Sequence, residues 1–158
     1  IVRLSISKPP LYKHMKNILT IIAFVSTYAL SAQTVDYNTD KGFVAEGYDV
    51  VSYFSNTPKE GDDAYVARYD GVLFKFSTQQ NLDVFNANPK KYIPQYGGYC
   101  AYAIALKNKK VSIDPETFEI RAGKLYLFYN SWGVNTLKSW QEESPNLLIL
   151  AADKNWNN

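Results

Sequence analysis

Two stretches of the chain carry short apolar runs on both sides of an X-Gly pair. Residues 64–69 and 72–76 flank Asp70-Gly71, and residues 117–121 and 124–129 flank Ala122-Gly123. Glycine tolerates the positive φ that a two-residue turn requires, so both stretches predict β-hairpins. In the second hairpin Leu125, Leu127 and Tyr129 alternate with Tyr126 and Phe128. Both faces of that strand are apolar, which predicts a central strand covered on each side. Residues 48–54 read as a short strand or extended segment, stopped by Asn56-Thr57-Pro58. Helical signals lie between and after the hairpins. Ser77-Thr78-Gln79-Gln80 matches a capping box with Ser77 as the cap, Leu82 and Phe85 then share a face, and Asn88-Pro89 ends the helix. Gly97-Gly98 opens an alanine-rich run over 99–106, with Cys100 in its first turn. Val134, Leu137 and Trp140 or Gln141 mark one face of a further helix, and Pro145 starts another over 146–154. Hairpins separated by helices predict an α+β fold, a single domain in which the two hairpins form a small antiparallel sheet packed with short helices.

The first residues change the electrostatic picture. Met15-Lys16-Asn17, the apolar run that follows it and the small residues up to Ala32 read as a secretory signal peptide over 15–32, with 1–14 an upstream segment and 33–158 the folded domain. The expected compartment is periplasmic or extracellular, without stable membrane insertion after cleavage. The whole chain has 17 basic and 15 acidic residues, a net charge of +2. Removing Arg3, Lys8, Lys13 and Lys16 leaves 13 basic against the same 15 acidic residues, or −2. That mixed charge supports neither a nucleic-acid nor an anionic-membrane partner. Lys107, Lys109 and Lys110 read as a solvated loop.

Cleavage would also remove His14 and Met15, each the sole residue of its type, and leave Cys100 as the sole cysteine. Without imidazole, histidine-based triads and general bases are excluded from the domain. An enzyme is therefore not expected. One cysteine allows no internal disulfide. Its ordinary role is a buried, inert thiol. The alternatives are a metal ligand, a reactive redox thiol and an intermolecular bridge, and a cysteine at a helix start meets the positive end of the helix dipole. A metal ion is the cofactor compatible with such a residue, with Asp114 the candidate co-ligand.

The run Tyr69-Asp70-Gly71, Phe74-Lys75-Phe76-Ser77, Phe85, Asn88-Pro89, Tyr92 and Pro94-Gln95-Tyr96-Gly97-Gly98-Tyr99-Cys100-Ala101-Tyr102-Ala103 resembles the YHS domain. With Gly47-Tyr48-Asp49-Val50-Val51 before it and Asp114-Pro115 and Gly123-Lys124-Leu125-Tyr126-Leu127 after it, the chain is similar to exported bacterial YHS domain-containing proteins. Short YHS modules, similar to TRASH domains, accompany metal-transporting ATPases and present cysteines to metal. Here Ser77 and Asn81 occupy the positions of those thiols, so the resemblance does not carry that metal site over. It implies a non-catalytic protein that binds a metal ion or small ligand. The candidate ligand-binding residues are Tyr96, Gly97, Gly98, Tyr99, Cys100 and Tyr102, where the paired glycines would admit a ligand to the backbone among tyrosine rings. The alternatives are a thiol or redox protein using Cys100 and a protein-interaction module.

Overall fold

The computed structural model describes residues 35–157, and the expected leader and upstream segment lie outside them. Strands β1 (Thr39–Asp40), β2 (Phe43–Val44), β3 (Asp62–Tyr69) and β4 (Val72–Phe76) form one sheet in the order β1-β2-β4-β3. The β2–β4 pairing is parallel and the other two are antiparallel. Helices α1 (Gln79–Ala87) and α2 (Pro89–Tyr92) follow, then α3 (Ala101–Lys107). Next come the hairpin β5 (Asp114–Arg121) with β6 (Lys124–Phe128), the small hairpin β7 (Asn130–Ser131) with β8 (Val134–Asn135), and the helices α4 (Thr136–Glu142) and α5 (Pro145–Trp156). The fold class is α+β, as the patterning predicts. The two principal hairpins, however, lie in separate sheets and not in one.

Both hairpins expected from the sequence form. At their tips Asp70 and Ala122 have φ of 50°, each ahead of a glycine with positive φ. Two more X-Gly tips were not anticipated: Lys41-Gly42 joins β1 to β2, and Trp132-Gly133 joins β7 to β8. The neighbouring strands are only two residues long, too short to show alternation.

Strand β6 stands between two core clusters. Leu125 and Leu127 face a core cluster built with Val44, Phe74, Phe76 and Phe85, while Tyr126 and Phe128 face a second with Trp140, Ile104, Leu148 and Ala152. These four side chains are all buried, and only Lys124 at the start of the strand is exposed. The strand is thus central by layering, as its two apolar faces require, but it pairs only with β5.

Three local expectations change. Residues 48–54 form no strand: a single bridge joins Tyr48 to Glu60, and Ser52–Ser55 is a 3₁₀ turn. The cap of α1 is Thr78, which accepts from the Asn81 N–H at 3.1 Å, so the helix starts one residue later than a Ser77 cap implies. Val134 belongs to β8, and α4 starts only at Thr136, capped by the Asn135 side chain. The first two shifts share one cause, Asp49. This carboxylate is completely buried. Its Oδ1 accepts from the N–H groups of Val51 (2.9 Å) and Ser52 (3.3 Å), which bends residues 49–52 away from extended geometry. Its Oδ2 accepts from the Ser77 N–H (2.9 Å), the Ser77 hydroxyl (2.7 Å) and the Asn81 side-chain amide (2.6 Å), so Ser77 is not free to cap. A buried carboxylate is tolerable only when so satisfied.

Candidate functional site

The segment 96–102 is divided by the fold, and the division separates the candidate ligand residues into two groups. Gln95–Gly98 is a 3₁₀ turn whose interior residues Tyr96 and Gly97 take φ of 54° and 62°. A Cβ on Gly97 would lie 2.1 Å from the backbone oxygen of Asp36. The Asn38 N–H donates to the Gly97 carbonyl at 2.9 Å, and the Asn38 side-chain amide donates to the Gly98 carbonyl at 3.1 Å. The close approach that two glycines permit is therefore taken up by the chain's own residues 36–38. Tyr96 is buried against Tyr126 and Trp156, and its hydroxyl donates to Asp153 at 2.9 Å. Burial and that carboxylate push its phenol well above the ordinary value. The Tyr99 hydroxyl donates to Asp36 at 3.2 Å, and the carboxylate of Asp36 also pairs with Lys110 at 2.6 Å, an ion pair that holds Asp36 below its usual range. Tyr96, Gly97, Gly98 and Tyr99 thus tie the start of the domain to α5 and to the loop after α3.

Cys100 and Tyr102 turn the other way. Cys100 stands at the cap position of α3, one residue ahead of the first turn in which the sequence places it, and α3 is only seven residues long. Its N–H donates to the Val111 carbonyl at 2.9 Å and its side chain is fully buried. The sulfur lies 3.3 Å from the Thr136 hydroxyl oxygen. That hydroxyl donates its single proton to the Tyr129 carbonyl at 2.9 Å. The thiol is then the donor in a relay from Cys100 through Thr136 to the backbone, since Thr136 has no second proton to give.

Beside this relay is a partly open cavity of about 250 Å³. Cys100 and Thr136 are among its lining residues. Ala103, Leu106 and Lys107 of α3 contribute one wall, and Val111, Tyr129 and Val134 contribute another, with Tyr102 completing the lining. Of the six candidate ligand residues, two border this space. The other lining residues, missed by sequence reasoning, come from α3 itself, from the loop after it, from the link between β6 and β7, from β8 and from the start of α4. Nothing in the primary structure links Thr136 to Cys100 across 36 positions, because the juxtaposition depends on how α4 is laid against α3.

The candidate metal ligand Asp114 is engaged elsewhere. Its Oδ1 accepts from the Glu116 N–H at 3.0 Å, and its Oδ2 accepts from the Thr117 hydroxyl at 2.8 Å and the Asn130 amide at 3.0 Å. These bonds shape the irregular start of β5, where the register shifts between Asp114 and Phe118. Among the described residues no group of three or more His, Cys, Asp and Glu side chains converges as a metal site would require. Ser77 and Asn81 do converge, but on Asp49 Oδ2, as an internal hydrogen-bond network. Among the described residues no helix is long and apolar enough to cross a membrane. Comparison of the chain with protein-family models, with curated proteins and with solved structures finds no match.

Proposed function

We propose that this chain is an exported, non-catalytic binding protein of the YHS type, and that it takes a small, largely apolar molecule in the cavity beside Cys100. The observation that carries this reading is the cavity itself: about 250 Å³, lined by aliphatic and tyrosine side chains together with Cys100, Thr136 and Lys107. An apolar hole of about 150 Å³ suffices for benzene, so this one has room for a bicyclic ring or a short alkyl chain. A small molecule fits better than a metal ion. Tight capture of a soft metal calls for several thiolate or imidazole donors, and Cys100 is instead paired with Thr136. A redox role for Cys100 is disfavoured by its complete burial, since reactive thiols need access.

The test is thermal stabilisation of the protein by indole and by octanoate, in wild type and in two variants that occupy the space. Ala103→Phe fills the cavity from α3, and Leu106→Trp closes it from an exposed position. Saturation at a hundred times the dissociation constant stabilises by about 2.7 kcal/mol. Stabilisation of wild type that Leu106→Trp removes supports the reading. Equal response of wild type and both variants, or none from wild type, refutes it.

A further inference from the structure

Helix α5 is apolar on the side it turns to the core and on the side it turns to water. Residues 147–152 read Leu-Leu-Ile-Leu-Ala-Ala, a run of apolar positions with no polar stripe. Leu148 and Ala152 are buried in the second core cluster, and Ile149, Ala151 and Trp156 pack against it. That leaves Leu147 and Leu150, each 66% exposed. After Trp132 they are the most exposed large apolar side chains among the described residues. Helix geometry sets them side by side at i and i+3, with Ala151 and Lys154 at i+4 and i+7 of the same stripe. A helix that is apolar all round is ordinarily covered all round.

The two ends of this stripe carry opposite charges. Lys154 is exposed in the last turn of α5, about 8 Å along the axis from the midpoint of the two leucines. The helix begins at Pro145, about 5 Å in the other direction, and the exposed Glu142 and Glu143 come just ahead of it. Among the described residues Lys154, Glu142 and Glu143 take part in no salt bridge. The Tyr102 hydroxyl donates to Glu143 Oε1, a bond that leaves the carboxylate its charge and its second oxygen. Asp153, the acid within the helix, is turned to the Tyr96 hydroxyl. The order along the stripe is therefore acid, apolar, base.

We propose that this stripe is the contact of a weak homodimer, packed antiparallel on the same stripe of a second copy across a two-fold axis between Leu147 and Leu150. Such an axis reverses the order of acid, apolar and base, so Leu147 meets Leu150 while Lys154 of each copy meets Glu142 and Glu143 of the other. A parallel pairing would instead set lysine on lysine and acid on acid. The pattern is thus complementary to itself in one orientation, which is what a two-fold contact requires. Two leucines from each copy form the dry centre, and the small Ala151 beside them lets the helices approach closely. One helix pair lies at the small end of specific interfaces, below about 1,200 Å² of total buried surface, and the dissociation constant expected is about 10 μM to 1 mM. The contact rests on one helix and its flanking charges, independently of what enters the cavity.

The test is sedimentation velocity of the protein from about 1 μM to about 1 mM, where wild type should pass from monomer to dimer. Leu147→Gln with Leu150→Gln puts good helix formers at exposed positions, so the fold is kept, and should weaken association at least about a hundredfold. Lys154→Glu, and separately Glu142→Lys with Glu143→Lys, should each weaken it about tenfold. An equimolar mixture of these two charge variants should associate again, because the mixed pair has opposite charges at both ends of the contact. The proposal is overturned by a wild type that stays monomeric at about 1 mM, or by association that Leu147→Gln with Leu150→Gln leaves unchanged. It is equally overturned if the mixture of charge variants associates no better than either alone. Association that Trp132→Asn abolishes and the leucine variant does not would assign the contact to the β7–β8 tip instead.

Discussion

Replacing Asp49 by Asn isolates the contribution of one buried carboxylate to the whole fold. The substitution keeps shape and volume and retains an oxygen for the Val51 and Ser52 N–H groups. It puts an NH₂ where Oδ2 now meets the Ser77 N–H, the Ser77 hydroxyl and the Asn81 amide. The hydroxyl can rotate to accept and the Asn81 amide can turn its oxygen inward, but the backbone N–H of Ser77 has no such option. One buried donor is left facing another, a penalty of about 1–3 kcal/mol, and bonds to a charged acceptor give way to weaker neutral ones. The expected total is about 2–4 kcal/mol against a typical domain stability of 5–15 kcal/mol. For a domain of this size each kcal/mol moves the melting temperature by about 3–6 °C, so Asp49→Asn should melt roughly 6–24 °C below wild type. Asp49→Ala orphans all five donors and should cost about 5 kcal/mol, enough to prevent folding if the parent is marginal. Differential scanning calorimetry of wild type, Asp49→Asn, Asn81→Ala and the double variant measures the loss and the coupling. A melting temperature for Asp49→Asn within about 3 °C of wild type would refute the assignment of this carboxylate as the organiser of residues 49–52 and of the start of α1.

Gly97→Ala should destabilise by about 2–4 kcal/mol in urea denaturation, because its Cβ would meet the Asp36 carbonyl at 2.1 Å. Gly123→Ala, also at positive φ but with no atom near its Cβ, should cost only about 1 kcal/mol; equal losses would show that backbone conformation and not the contact matters. The phenols of Tyr37, Tyr53 and Tyr96 are raised from the ordinary 10.0 chiefly by burial. A raised folded-state value means stability is whole below pH 10 and is lost as pH climbs from 10 toward the folded values. Phenolate absorbance should therefore appear together with loss of near-UV circular dichroism above pH 10, and gradual ionisation of a folded protein by these three residues would contradict it. Cys100, fully buried and bonded to Thr136, should react with an aromatic disulfide at least about a hundredfold more slowly in the native protein than in denaturant. Comparable rates would revive the thiol reading.

Patterning alone determined the α+β class, both principal hairpins and the approximate places of the helices. These are local properties: an X-Gly pair sets a turn, an apolar period sets a face, and a proline ends a helix, whatever lies elsewhere. The double-faced burial of β6 was legible for the same reason, since its alternating residues had no polar side to give to water. What depended on a distant partner was not legible. Residues 48–54 look extended until Asp49 is seen to bind Ser77 and Asn81 about thirty positions away, and that contact also moves the α1 cap by one residue. The paired glycines look like a ligand approach until residues 36–38 are found packed against them. Cys100 could be recognised as the one soft side chain, but whether it was buried, and that Thr136 and a cavity lie beside it, followed only from the packing of α3, α4 and β8. Sequence specifies what each segment prefers, whereas a site is a set of distances between segments, and those distances arise from the packing of the whole core.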